Sequence, residues 1–335
     1  MSTPLTLALA GNVMLGRLVD AVIPARGFAF PWGDLRPVLA AADLFLINLE
    51  CALTNETRPA RDGADQAFHF RANPAVVNTL TAGRVDFCAL ANNHVRDFGD
   101  AGLLDTLAVL DRAGIAHAGA GPDAAAAARP ARLRARDARV AVVAFADYPE
   151  EWAATPTGPG INYTPVSVAT HDFRAVEEAL TAARTDADLV ICSIHWGPTM
   201  RARPSTAFRD FARRVVMAGA DIFWGHSAHV VQAIEVWDRK LILFDTGDFV
   251  DDYAVDPDLR NDLSALFLVR ARPPDVLSLD LIPVQIVDRQ VRLAQPPEHD
   301  WLIRRTTDLC REVGTAVVLA ADRVSIPVTL SSGRD

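Results

Sequence analysis

Six short apolar runs, at 5–10, 44–47, 86–90, 140–146, 188–194 and 221–224, are rich in β-forming residues and read as buried strands. Most lead into a polar loop and then into a segment with helical periodicity. That alternation constrains the chain more than any other feature, because it predicts a mostly parallel sheet covered by helices. Helices are predicted over 34–41, 74–82, 100–113, 170–185 and 205–218, with Asp100 and Ser205 as N-caps. Gly114 and Gly219 sit where two of them should stop. After Gly225 the pattern changes to strands in close succession, at 230–236, 241–244, 263–270 and 276–287, with Asp238-Arg239 as a hairpin turn. This second set predicts an additional mixed or antiparallel sheet packed on the first. A terminal surface helix is predicted over 301–313, so the chain divides into one α/β domain over 1–290 and a C-terminal tail over 291–335.

Half of the residues are hydrophobic, enough for a large core. The net charge of −9 argues against nucleic acid as a partner, since phosphate backbones call for clustered Lys and Arg. Arginine is scattered, and Lys240 is the one lysine. No apolar stretch reaches the roughly 18–20 residues needed to cross a bilayer, and the N-terminus MSTPLTLALAGN lacks the basic region of a signal peptide. Cys51, Cys88, Cys192 and Cys310 are widely spaced, without a CxxC, and read as reduced thiols. The expectation is a cytoplasmic protein with no membrane partner.

Metal-binding residue types fall at the ends of the strands. The first strand leads into GNVMLGR (11–17), the second into NLE (48–50), and the third into ANNH (91–94). Two later ones lead into HWG (195–197) and GHSAH (225–229). Ligands of parallel α/β sheets bind beyond the carboxyl ends of the strands, so these groups are predicted to meet in one crevice. Imidazole with carboxylate and amide oxygen suits a divalent ion. A further loop, DTGDFVDDY (245–253), brings four acids and a tyrosine, of which Asp245 and Asp248 are the stronger candidates to face the site. Arg17, Arg96, Arg201 and Arg203 lie beside motif residues and are candidate clamps for carboxylate or phosphate. His69, His117, His171 and His299 lie outside the motifs and read as structural or solvent-facing. The long polar segments 55–71 and 148–164 are candidates to cover the site.

The ordered set GNVMLGR, NLE, ANNH, HWG, GHSAHVVQAIE and DTGDFVDDY resembles the CapA-like branch of the calcineurin-type metallophosphatase superfamily, over about residues 5–287. The resemblance implies a four-layer αββα sandwich with its metal site at one edge. It implies Glu50 as the bridging carboxylate, with Asn93, His195 and His226 completing one metal site and His229 belonging to the other. His94 would be a non-ligand acid/base, with Asp97 to orient it. Asn12 stands where the family usually carries an aspartate ligand, which makes one site weaker and one or two ions (Mn, Zn, Fe, Ca or Mg) the expectation. Three activities follow from the resemblance: phosphoester hydrolysis, a role in poly-γ-glutamate capsule assembly, and peptide epimerisation of the kind associated with lasso-peptide biosynthesis. The last is preferred on the sequence alone, as a metal-dependent epimerase that inverts a Cα centre of a ribosomal precursor peptide. His94 with Asp97 and an acid of the 245–252 loop would be its two bases.

Overall fold

Side chains alternate across a strand, and in this protein both faces of the central strands are apolar. The computed structural model describes residues 4–60, 67–320 and 323–328. In chain order its main elements begin with β1 (Leu5–Val13), α1 (Arg17–Arg26), α2 (Arg36–Ala41), β2 (Leu44–Leu49), α3 (Val77–Ala82), β3 (Phe87–Ala89), α4 (Gly99–Ala113) and β4 (Ala116–Ala118). They continue with β5 (Ala131–Ala135), β6 (Ala138–Ala146), α5 (Thr170–Arg184), β7 (Leu189–His195), α6 (Thr206–Met217) and β8 (Ile222–His226). Last come β9 (Ile234–Trp237), β10 (Lys240–Leu243), β11 (Asp248–Val250), β12 (Leu263–Arg272), β13 (Asp275–Val287), β14 (Gln290–Leu293), α7 (Glu298–Glu312) and β15 (Val324–Pro327).

Two sheets result. The first runs β15-β13-β12-β1-β2-β3-β4, with β11 alongside the end of β1 and β14 on β13. The second runs β9-β10-β8-β7-β6-β5. On the second sheet Val140, Val142, Leu189, Ile191, Ile222 and Trp224 share one buried cluster with the first sheet. The intervening Ala141, Val143, Val190, Cys192 and Phe223 join Phe173, Leu180, Phe211 and Val215 of α5 and α6 instead. Helices therefore cover the outer face of the second sheet. Trp32, Leu80, Leu103 and Leu110 pack into the first sheet's cluster, giving the α/β sandwich of αββα layers.

The strands after Gly225 do not build a sheet of their own, contrary to the expectation from their spacing. Strands β9 and β10 extend the second sheet, and β12 extends the first antiparallel to β1, followed by β13 and β14, each antiparallel to the strand before it. The reason is that β1 and β8 would otherwise be edge strands with unpaired backbone groups; β12 covers β1 antiparallel, while β10 pairs parallel with β8 and β9 then closes that edge antiparallel. The turn Asp238-Arg239 has both residues at positive φ, as a two-residue hairpin requires. Helix α1 was not visible in the sequence; it starts on Gly16 without a side-chain cap and carries Pro24. Ser205 does cap α6, accepting from Phe208 N, whereas Asp100 lies inside the first turn of α4 and binds Arg96. Helix α7 buries Leu302, Leu309 and Cys310, and β15 pairs with β13. Residues 61–66 of the first long loop and 329–335 of the tail lie outside the described residues.

Candidate metal centre

Strand register builds the site. Asn12 on β1 is level with Asn48 on β2 and with Asp248 on β11, and His195 on β7 is level with His226 on β8. Alternation along β7 and β8 turns His195 and His226 to the inter-sheet face, beside Ser193 and Trp224. The loop after β8 then carries Ser227 at φ +121° and His229 at φ +61°. Such backbone in non-glycine residues is held only by its surroundings and clusters at functional sites.

Glu50, His229 and Asp248 each offer a donor atom, and the three atoms lie within 4.8 Å of one another. His229 Nδ1 is 2.8 Å from Asp248 Oδ1, and Tyr253 donates its hydroxyl to Glu50 Oε2 at 3.1 Å. Glu50 Oε1 and Asp248 Oδ2 are buried and find no hydrogen-bond partner among the described residues. His195 Nε2 lies 3.6 Å from Glu50 Oε1. Burial pushes the Glu50 carboxyl up to about 8, with His229 opposing and Asp248 adding to the rise. Burial likewise raises Asp248 and Asp251 well above the carboxylate range; Asp245 adds to the rise at Asp248 against the pull of Asn12 and Asp251, and Asp248 adds to the rise at Asp251. His195 is pushed well below its ordinary value by burial and by His226, His229 and His94, and His226 to about 3 by burial. Neutral imidazoles beside crowded carboxylates with bare oxygens form a donor set suited to a divalent cation, and the residues fit one.

His94 stands next to this cluster as a held base. Its Nδ1 is 2.7 Å from Asp97 Oδ2, and Asp97 also accepts from Phe70 N. Burial raises the Asp97 carboxyl, against the pull of its bond to His94. The Phe70 ring covers the imidazole at 4.0 Å between centroids. Asn93 Nδ2 is 3.3 Å from His94 Nε2. His195 and His226 face each other through Nδ1 atoms 2.9 Å apart, and His226 Nε2 meets Ser193 Oγ at 2.9 Å. Asp245 sits behind the 226–229 turn, where burial lifts it to about 7 and it accepts from Ala228 N and Gly247 N.

The arginines divide. Arg17 lies over the rings of Phe68 and Phe70 and 3.4 Å from Asp252, close to the His94 side. Arg201 is exposed on a cavity of about 260 Å³ that also meets Trp196, Phe208 and Asp245. Arg203 lines that cavity too, but its fork holds Glu312 of α7 through two 2.6 Å bonds. Arg96 is engaged with Asp100 at 2.7 Å. Sequence reasoning gave no role to Phe70, Asn48 or Asn92. The last two stood inside the NLE and ANNH motifs and were readable there; Phe70 had no signal beyond its place in a long loop.

Fold and site together define an α/β protein of two large sheets with a carboxylate–imidazole cluster suited to a divalent cation at the strand ends. The chain belongs to the family described as bacterial capsule synthesis protein PGA_cap, whose profile matches residues 6–253. It is 32% identical to a probable polyglutamine synthesis accessory protein of Mycobacterium tuberculosis H37Rv, over 95% of this chain and 94% of the relative. It is 28% identical to the capsule biosynthesis protein CapA of Bacillus anthracis, over 84% of this chain and 67% of that one. Among solved structures, a 5′-nucleotidase of Candida albicans SC5314 superposes at a TM-score of 0.41 and 11% identity, over 94% of this chain and 55% of the other. That likeness is too weak to argue from. No described helix is long and apolar enough to cross a membrane.

Proposed function

We propose that this chain is a metal-dependent phosphoesterase-type hydrolase that serves the synthesis of a polyglutamate-type polymer. The observation that carries the chemistry is the triad Glu50, His229 and Asp248 standing beside a histidine oriented by Asp97. The polymer context is supported by relatives along most of the chain, one named for polyglutamine synthesis and one for capsule biosynthesis. Glu50, Asp248 and His229 would hold the ion, which when bound supplies Lewis-acid stabilisation of charge on a phosphoryl oxygen. Asp97 accepts from Nδ1–H of His94, so Nε2 is a proton acceptor in the neutral ring and gives a proton to the leaving group only from the imidazolium form. Phe70 shields that imidazole from water. Arg17 and Arg201 offer cationic contacts for an anionic substrate. The test is turnover of p-nitrophenyl phosphate with added Mn²⁺. Release of nitrophenol that chelator abolishes supports the reading, and no release with any of Mn²⁺, Zn²⁺ or Mg²⁺ overturns it.

A second reading, inversion of a peptide Cα centre, draws on one specific observation. A two-base reaction calls for a second group titrating near neutrality, and Asp245, at about 7, meets the same cavity as the exposed Arg201. Arg201 would hold a substrate carboxylate there while His94 and Asp245 exchange the α-proton. Mass spectrometry of a precursor peptide or a γ-glutamyl oligomer incubated with enzyme in D₂O decides it. A one-deuteron gain without cleavage would select epimerisation over hydrolysis.

A further inference from the structure

Four polar side chains form a relay across the first sheet. Asn92 donates Nδ2 to Asn48 Oδ1 at 3.1 Å, Asn48 donates Nδ2 to Asn12 Oδ1 at 2.8 Å, and Asn12 donates Nδ2 to Asp248 Oδ1 at 2.9 Å. Amide oxygen and nitrogen look alike in shape, so the direction of such a chain has to be read from its fixed end. That end is Asn92. Its Oδ1 accepts from the backbone N–H groups of His94 and Val95, at 3.0 and 2.9 Å, and its Nδ2 donates to the Leu49 carbonyl at 2.8 Å. A backbone N–H only donates and a carbonyl only accepts, so Asn92 has one orientation. Asn48 must then accept from Asn92 and give its NH₂ to Asn12. Asn12 in turn spends its oxygen on Asn48 and aims its NH₂ at Asp248. All three amides and Asp248 are buried, so water cannot reverse the order.

We infer that Asp248 is the carboxylate ligand of the metal centre on the β1 side, and that Asn12 is a positioning residue acting through Asp248. The resemblance implies Asn12 among the ligands, but its oxygen accepts from Asn48 and it is its NH₂ that turns to Asp248. Asp248 Oδ1 takes the amide proton, Oδ2 is left bare, and the parallel register Asn12↔Asp248 keeps the two side chains level. The inference rests on this chain holding a divalent ion, as proposed above, and on nothing about the reaction.

The experiment is Mn²⁺ titration, followed by the electron paramagnetic resonance of free Mn²⁺, on wild type, Asp248→Asn, Asn12→Ala and the exchange pair N12D/D248N. Asp248→Asn should weaken binding at least tenfold, and Asn12→Ala by only a few fold. The exchange pair should recover to within a few fold of wild type, because it returns a carboxylate to the same pair of strands and leaves the relay an amide to end on. Wild-type affinity in Asp248→Asn, or a loss in Asn12→Ala as large as in Asp248→Asn, overturns the assignment. Thermal melts without metal separate folding from binding: Asp248→Asn should melt no lower than wild type, yet lose the Mn²⁺-dependent rise. A wild type that binds no Mn²⁺, Zn²⁺ or Mg²⁺ overturns the metal centre itself, which is distinguishable from a metal-binding wild type that ignores Asp248.

Discussion

At the scale of residues, His94 and Asp97 show how a short motif becomes a tool. Three positions apart on a turn, they meet at 2.7 Å, and the partner fixes which ring nitrogen is free. His94→Ala should lower turnover by about 10²–10⁴-fold, with Mn²⁺ stoichiometry unchanged. Metal analysis of the purified variant checks it, since loss of the ion alongside turnover would make His94 a ligand. The residue types at the strand ends were readable from sequence because His, Asn and Glu there are conspicuous against apolar strands. Their roles were less so. Asn12 reads as a ligand in a linear motif, and only the bonds of Asn92, on another strand end, to the backbone of its neighbours His94 and Val95 show which atom Asn12 presents. Lys240, the one lysine, has a structural partner in Asp221, which also binds Arg184 and Val190 N.

At the scale of elements, close approach and register decide whether the donors meet. Gly11 in β1 passes so near the β10–β11 loop that a Cβ there would stand 1.8 Å from the Gly247 carbonyl oxygen. Gly11→Ala should therefore push Asp248 away from Asn12, cost about 1–3 kcal/mol of stability and weaken Mn²⁺ binding. A melt and the same titration read both effects; an unchanged affinity would mean that the strand spacing is not limiting. Far from the site, Arg139 of β6 forks onto Asp188 just before β7 and holds the start of that pair. The side-chain bonds from Arg139 pull the Asp188 carboxyl down to about 2. A depressed acid contributes stability that is present above its unfolded value, about 3.9, and is lost as pH falls toward 2. Both partners are exposed to solvent, so screening keeps the contribution small. Urea melts of Arg139→Ala should fall below wild type at neutral pH and converge with it as pH drops through that window.

At the scale of the molecule, the ion and the fold should be linked. The three donors come from the ends of β2, β8 and β11, elements far apart in sequence, so only the folded chain presents them together. Mn²⁺ at a hundred times its dissociation constant should then add about 2.7 kcal/mol of stability. Calorimetry at rising Mn²⁺ checks this, and a melting temperature independent of the metal would mean that the unfolded chain binds it equally well. The same argument makes chelation reversible in its effect on the native state, because the sheets are held by the two buried clusters and not by the ion.

Periodicity and residue type, both local properties, were enough to establish the α/β class and to single out the polar residues at the strand ends. They follow from how far apart side chains lie on a strand or a helix, which a short window of sequence contains. Which sheet each late strand joins, that Arg203 is engaged by Glu312, and which atom Asn12 turns to Asp248 depend on partners distant in sequence, 109 residues for the first pair and 236 for the second. Pairing of backbone edges and direction of hydrogen bonds are properties of the assembled pair, so only the tertiary structure could decide them.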